Sequence, residues 1–363
     1  MKKLVVLLLT VCLLISSVAC VAYGEDQGTG PSYKFIFMYY TFADKLGSQF
    51  KSCMEYLGEA FNVEFQFIEG SLDEEGLAAI EAAVAKGDLD GIMVVASASP
   101  ALLTIAGDIP VLAVCNAPAS EEMVAEAVAF PNYLGAIYDS DYQVGYAAAQ
   151  GLYDAGCRKV CLAGLTQGLT KSHDDRATAF IDFVNEKEDM ELLADNYSYG
   201  LMVEAIGSFA AAYPELDGIF CTYGTDAILN AMRTEGLVGY AKLATVDVSS
   251  ETGTYFDNGT LVWTAGGQYG TAMVAFAIMY NYVIDGTRII PDPIVSMIRP
   301  FIQINGSDAF RNYVTYVDSG EFVYSADEVR DMIHYYNSEA DYDYFIELGE
   351  NYNLEDIQAR HGE

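Results

Sequence analysis

The sequence predicts an α/β protein of two doubly wound parallel-sheet lobes joined by a hinge, with a C-terminal helical extension. Three observations predict it. From residue 34 onward, short β-branched or aromatic runs alternate with longer amphipathic stretches, the pattern of right-handed βαβ units and parallel sheets. The chain's 363 residues are too many for one doubly wound sheet of usual size, and no Pro/Ser-rich linker divides its middle. Lobes joined by several short crossings satisfy both facts and permit hinge motion. Beyond residue 300 the character changes to a tyrosine-rich, acidic segment with helical spacing at 326–337 and 353–361.

Each element follows in order. Lys2 and Lys3, the aliphatic run 4–15 and the small residues Ser16, Ser17 and Ala19 lead into Cys20, the layout of a secretory signal peptide over 1–19. The apolar run is shorter than the ~20 residues a spanning helix needs. Cys20 is the expected lipid-attachment residue, with Ser17 standing where such sites usually carry leucine; a cut after Ala22 is the alternative. A polar linker occupies 20–32. Strands are expected at 34–40, 63–68, 91–96, 110–115, 158–163, 218–222, 241–247 and 260–264, and helices at 45–60, 72–86, 141–155, 174–187 and 224–235. The run "GTAMVAFAIMYNYVI" (270–284) carries Asn281 and ends at Asp285, so it reads as a buried helix. The acidic tail reads as a solvated helical appendage or as a surface for a partner.

The formal net charge is −34, and removal of the leader takes two lysines and no acid. Such a surface repels nucleic acid, whose binders need basic patches to displace counterions. Past Cys20 the cysteines are Cys53, Cys115, Cys157, Cys161 and Cys221, an odd number, with three inside strand-like runs where a thiol packs as a small hydrophobe. Cys157 and Cys161 lack the two-residue spacing of a zinc knuckle, so no metal is expected. The histidines are His173, His334 and His361; no G-x-S-x-G elbow, HExxH helix or phosphate-cradling glycine loop is present. Neither an enzyme nor a cofactor is expected.

What remains is polar residues where strands end and helices begin, the places where open α/β sheets bind ligands. They are Tyr40, Thr41 and Asp44 after the first strand, Ser97 after the third, Asn116 after the fourth, Thr166 after "CLAGL", Tyr223 and Asp226 after "GIFC", Asp247 after "LATV" and Gln268 after "WTAGG". Asp247 follows an apolar strand, where a ligand donor or a helix-capping role can satisfy its carboxylate. Arg176, in "SHDDRATAF", has two outcomes open: a surface pair with Asp174 or Asp175, or a guanidinium fork in the cleft. Ser140 and Asp141 precede "YQVGYAAAQGL" and serve either as caps or as hinge lining.

From about Lys34 to Arg288 the chain resembles the type I periplasmic binding proteins of the ribose and galactose group, the solute receptors of ABC importers. The pieces that carry the resemblance are "GDLDGIMVVASAS", "DIPVLAV", "SDYQVGYAAAQGL…GCRKVCLAGL", "HDDRATAFIDFV", "PELDGIFCTYGTDAILNAM" and "ATVDVSSETGTYFDNGTLVWT". The resemblance implies three crossings, near Asp139, Thr264–Gly266 and Met297. The N-terminal lobe is then 33–139 with 266–297, and the C-terminal lobe 140–265 with 298–363. It implies a sugar or related small polar ligand between the lobes, with Arg176 and Asp247 on ligand-bonding positions, a membrane permease as partner, and a monomer outside the cytoplasm touching membrane only through its lipid. The chain departs from the group at Cys115-Asn116, where sugar binders carry Asp-Arg, and at Leu46 and Gly47, where they carry rings; Tyr39, Tyr40, Trp263 and Tyr269 are the substitutes to hand. A nucleoside or purine receptor, or a sensor coupled to a membrane kinase or chemoreceptor through the tail, is the alternative function.

Overall fold

The computed structural model describes residues 32–198, 202–224, 226–292, 295–319 and 321–362. The leader, Cys20 and nearly all of the linker lie outside them. Strands β1 (Tyr33–Tyr39), β2 (Val63–Glu69), β3 (Gly91–Val94), β4 (Val111–Val114) and β5 (Tyr133–Asp139) build the first sheet, and β6 (Lys159–Gly164), β7 (Glu191–Tyr197), β8 (Gly218–Cys221), β9 (Lys242–Thr245) and β10 (Leu261–Gly266) build the second. The short β11 (Ser296–Arg299) returns to the first and β12 (Ile302–Ile304) to the second, giving the orders β11-β5-β4-β3-β1-β2 and β12-β10-β9-β8-β6-β7. All neighbours are parallel except β12, which runs antiparallel to β10. Interior strands read as unbroken apolar runs because helices cover both faces: Phe35, Ile36 and Phe37 of β1 are all fully buried.

Helices α1 (Lys45–Phe61), α2 (Glu74–Val84), α3 (Pro100–Ala106) and α4 (Glu121–Ala127) connect the first five strands, and α5 (Asp141–Asp154), α6 (Lys171–Glu186), α7 (Met202–Ala212), α8 (Asp226–Thr234) and α9 (Thr252–Asp257) belong to the second lobe. Several start on side-chain caps. Asp44 receives Gly47 N–H, Asp73 receives Glu75 and Gly76 N–H, and Ser99 receives Leu102 N–H ahead of a first-turn proline. Helix α10 (Tyr269–Asp285) is buried nearly all round and packs on α1 and β3–β5, so it belongs to the first lobe. The chain thus passes between lobes after β5, after β10 and between β11 and β12.

The tail corrects two expectations, the solvated appendage and the placing of 298–363 wholly with the C-terminal lobe. Helix α11 (Ser307–Tyr313) does pack on that lobe, with Phe310 against Phe256 at 5.9 Å. The following π-helical turn (Val314–Asp318) then leads back to the first lobe, where Asp318 takes Lys45 and Gln49 of α1. Helix α12 (Ala326–Asp331) lies on α10, α13 (Tyr342–Glu350) on β11, and α14 (Leu354–His361) on α11 and the π-helical turn. Val323, Val329, Ile333, Phe345 and Ile357 are fully buried, so the segment is a strap whose apolar face is hidden among acids and tyrosines in the sequence. Asn281 of α10 exists for this strap: its Nδ2 donates to Met332 O at 2.8 Å and its Oδ1 accepts His334 N–H at 2.6 Å. The strap also grips the crossings. Tyr352 OH donates to Gly267 O at 2.6 Å, Tyr269 OH donates to Val317 O at 2.8 Å, and buried Arg299 donates to Tyr324 OH at 2.7 Å with its guanidinium 4.8 Å from the Tyr352 ring.

Candidate functional site

The carboxyl ends of β1–β4 face the carboxyl end of β6 across a cleft enclosing about 850 Å³. Its first-lobe wall is apolar, formed by Met38, Tyr39, Tyr40, Leu72, Val94, Val95 and Ala96, with Ser71, Ser97 and Asn116 as its polar members. The opposite wall comes from the loop after β6 and the start of α6: Leu165, Leu169, Thr170, Lys171, His173, Asp174 and Asp175. A hydrogen bond joins the two sides, from Ser172 Oγ–H to Asn116 Oδ1 at 3.3 Å.

The charges on the lining are already partnered. Lys171 pairs with Asp175 at 2.6 Å, and Asp174 accepts Gly168 N–H at 2.9 Å. His173 sits 3.0 Å from Thr222 Oγ1 through Nδ1 and stands edge-on to the Tyr223 ring. Burial, with the nearby Arg176 charge, drives its pKa down to about 3, so the imidazole is neutral at physiological pH.

Of the residues expected from the sequence, Tyr40, Ser97 and Asn116 reach the lining. Ser97 Oγ–H also donates to Ala117 O at 2.9 Å. Thr41 Oγ1 donates to Glu69 at 3.0 Å beside the mouth, Asp44 is spent on the α1 cap, and Asp226 receives Ser250 Oγ–H at 2.9 Å and Glu251 N–H at 3.3 Å, tying the β9–α9 loop to the start of α8. Thr166 is exposed on the loop after β6, where its carbonyl accepts Leu169 N–H, and Tyr223 lies behind His173. Trp263 and Tyr269 are core residues, each 2% exposed, and Tyr39 and Tyr40 are the rings that face the cleft.

Arg176 takes neither outcome left open for it. Its Nε donates to Asp141 Oδ1 at 2.7 Å and its Nη1 to Thr222 O at 2.8 Å, and both side chains of this ion pair are under a tenth exposed. The close crossing of α5 and α6 forces the encounter, because Gly145 leaves no room for a Cβ against Arg176 O. Asp247 is neither the cap of α9, whose N-terminal neighbour is Glu251, nor part of the lining. Its Oδ1 accepts Gln268 Nε2–H at 2.8 Å, and burial raises its pKa against the opposing pull of Arg176 and Gln268.

Asp247 and Cys115 share a backbone feature. Both follow the fourth strand of their lobe and both hold positive φ, 74° and 52°, a region costly for residues with a Cβ. Gln268, at the second crossing, bridges them: its amide holds Asp247 and its carbonyl accepts the Cys115 thiol at 3.5 Å. The ends of the two lobes therefore meet at one hinge glutamine. Sequence reasoning missed His173 and Leu72 as lining residues. His173 stood in the quoted run with Arg176, and the loop after the second strand was a strand end like the others.

No protein-family model and no curated protein matches the chain. Among solved structures it is similar to an ABC transporter periplasmic solute-binding protein from Actinobacillus succinogenes 130z with bound D-allose, at TM-score 0.67 and 16% identity over 78% of this chain and 100% of that one. It is similar to GanP, a glucose-galactose binding protein from Geobacillus stearothermophilus, at TM-score 0.60 and 17% identity over 76% and 98%. A carbohydrate transporter protein from Acidothermus cellulolyticus 11B in complex with myo-inositol gives TM-score 0.64 and 16% identity over 80% and 99%. The chain has the fold of the type I periplasmic binding proteins: two parallel-sheet α/β lobes with helices, as the sequence resemblance implied. Among the described residues no helix is long and apolar enough to cross a membrane.

Proposed function

We propose that this protein is an extracytoplasmic solute-binding protein that encloses one small uncharged polar molecule, a sugar or a relative of one, between its lobes and presents it to a membrane permease. The observation that carries the reading is the cleft itself: both lobes contribute a wall from strand carboxyl ends, and short crossings connect them. In this reading Asn116, Ser97, Tyr40 and His173 touch the ligand. Arg176 with Asp141 and Asp247 with Gln268 form the frame that holds those contacts in place, acting behind the lining. Cys20 carries the lipid that keeps the protein beside its permease, and the protein works as a monomer.

A thermal-shift panel of sugars, polyols, nucleosides and amino acids tests the reading. A true ligand at 100 times its Kd stabilises the folded state by about 2.7 kcal/mol and raises Tm accordingly. A panel in which no uncharged hydroxylated compound shifts Tm rejects it.

A further inference from the structure

We infer that the C-terminal strap is a fourth connection between the lobes, and that its π-helical turn Val314–Asp318, clasped by Asp318 to α1, limits how far the cleft opens. The inference takes from the reading above only that the lobes hinge, and its test uses no ligand, so the two fail separately. The chain on either side of the turn is anchored to a different lobe. Before the turn, α11 sits on the second lobe against two glycines: a Cβ on Gly253 of α9 would lie 2.7 Å from the Phe310 ring, and one on Gly266 of β10 would lie 2.7 Å from the Tyr313 hydroxyl. Arg311 adds an ion pair with Asp257 at 3.5 Å. After the turn begins, the chain is held to the first lobe. Tyr269 OH donates to Val317 O at 2.8 Å and accepts Val323 N–H at 3.2 Å, the Phe322 ring lies 4.8 Å from that of Tyr56 on α1, and Tyr56 OH accepts Ala326 N–H at 2.7 Å. Tyr313 and Val317 are both buried, so the two anchors stand about one helical turn apart.

The turn lies where opening would stretch it. Lys45 and Gln49 are in the first two turns of α1, just past the carboxyl end of β1, and α9 follows the carboxyl end of β9, so the bridge crosses on the side where the strand ends of the two sheets face each other. Five residues span about 8 Å when wound at ~1.5 Å per residue and about 17 Å when extended at ~3.3 Å per residue, so the lobes part freely only if the turn unwinds. The clasp opposes unwinding. Asp318 takes the Lys45 ammonium and the Gln49 amide, the latter at 2.9 Å. Its side chain is 13% exposed and that of Lys45 43%, so water weakens the ion pair, which suits a latch that opens and recloses. Helix α14 packs on both α11 and the turn, and its Arg360 donates to Val323 O at 2.9 Å, which backs the turn from outside.

Small-angle X-ray scattering and amide hydrogen exchange of the full chain, dialysed free of small solutes, test the inference on Asp318→Ala and Lys45→Asp. Lys45→Asp sets two carboxylates against each other at the clasp and places an acid in the first turn of α1, where the helix dipole favours it. The expected result in each single variant is exchange at 314–319 faster by at least about tenfold while the core strands stay protected. The radius of gyration rises with it, by about 1 Å on the roughly 21 Å expected of a compact chain this long. The double variant Lys45→Asp/Asp318→Lys returns both readings to those of the parent. High salt, which screens so exposed a pair, moves the parent toward Asp318→Ala and leaves that variant unchanged. An unchanged radius in the single variants overturns the inference even where exchange quickens, because the turn then frays without restraining the lobes. A larger radius without faster exchange at the turn overturns it too, as does a double variant as open as the single ones. Gln49→Leu removes the uncharged partner, is expected to give the same two shifts at smaller size, and decides by the same criteria if a charged variant fails to fold.

Discussion

Replacing Asp141 by alanine destabilises the protein by about 3–5 kcal/mol, the usual cost of stripping one partner from a buried ion pair. Arg176 is 7% exposed and Asp141 5%, so the stranded guanidinium has no route to water without separating α5 from α6. Its remaining hydrogen bond, Nη1 to Thr222 O, and the Phe301 ring 5.4 Å from its guanidinium carry no formal countercharge. Urea unfolding at pH 7 measures the loss. The double variant Asp141→Ala/Arg176→Met recovers much of it, because the uncompensated charge has gone and a methionine fills similar space. A double variant as unstable as the single one would place the cost in packing. The effect also reaches the site: Arg176 lies beside His173 and Thr222, so ligand affinity falls with stability in the single variant.

Asp139→Asn stabilises the protein at pH 8 and changes little at pH 4. Asp139 ends β5 at the first crossing, is 2% exposed, and accepts Thr271 Oγ1–H at 2.6 Å. Burial, with Asp141 nearby, raises its pKa to about 7, against the opposing pull of Thr271, Arg299 and Arg176. The sign follows from proton counts. Between about pH 4 and pH 7 the unfolded chain has lost this proton while the folded protein keeps it, so stability falls as pH rises through that window. The protonated aspartate thus contributes stability on the order of 4 kcal/mol, fully present below pH 4 and gone above pH 7. Asparagine is neutral throughout and still accepts from Thr271. Denaturant unfolding of both proteins at pH 4, 6 and 8 gives a difference that grows with pH; a constant difference would show that the aspartate does not change protonation on folding.

The legibility of the chain follows burial. Strands β1, β3, β4, β6, β8 and β9 lie inside their sheets and carry buried apolar runs, broken only near their ends, and each was expected near its observed place. The edge strand β7, "ELLADNY", is largely solvated and gives no such run, while β11 and β12 have four and three residues. Strand β5 is central yet carries Gly135 at φ 110°, which reads as a breaker when no neighbour is visible. The strap was hidden for a different reason: its buried residues, Val323, Phe345 and Ile357 among them, are spaced among acids that dominate composition.

At the site, the sequence located the strand ends and missed which side chains turn inward. That choice depends on partners far away in the chain: Asp141 and Arg176 are 35 residues apart, and Asp247 and Gln268 are 21. A carboxylate satisfied in this way stands behind the lining rather than on it. The positive φ at Cys115 has no signature in residue type, since glycine is the usual occupant. The resemblance supplied the fold correctly; Arg176 and Asp247, on its ligand-bonding positions, are not among the residues that line the cleft.

The most direct test of the central claim is titration of Ala96→Trp with the compound that most stabilises the parent protein. Ala96 lies on the cleft wall after β3, half-buried, so an indole there projects into the ligand space and spares the core. The account predicts that the variant unfolds at the parent's temperature when free of ligand and binds at least about 100-fold more weakly, with one molecule per chain bound by the parent. Undiminished binding by Ala96→Trp would contradict it, because the ligand would then be held somewhere other than the cleft between the lobes.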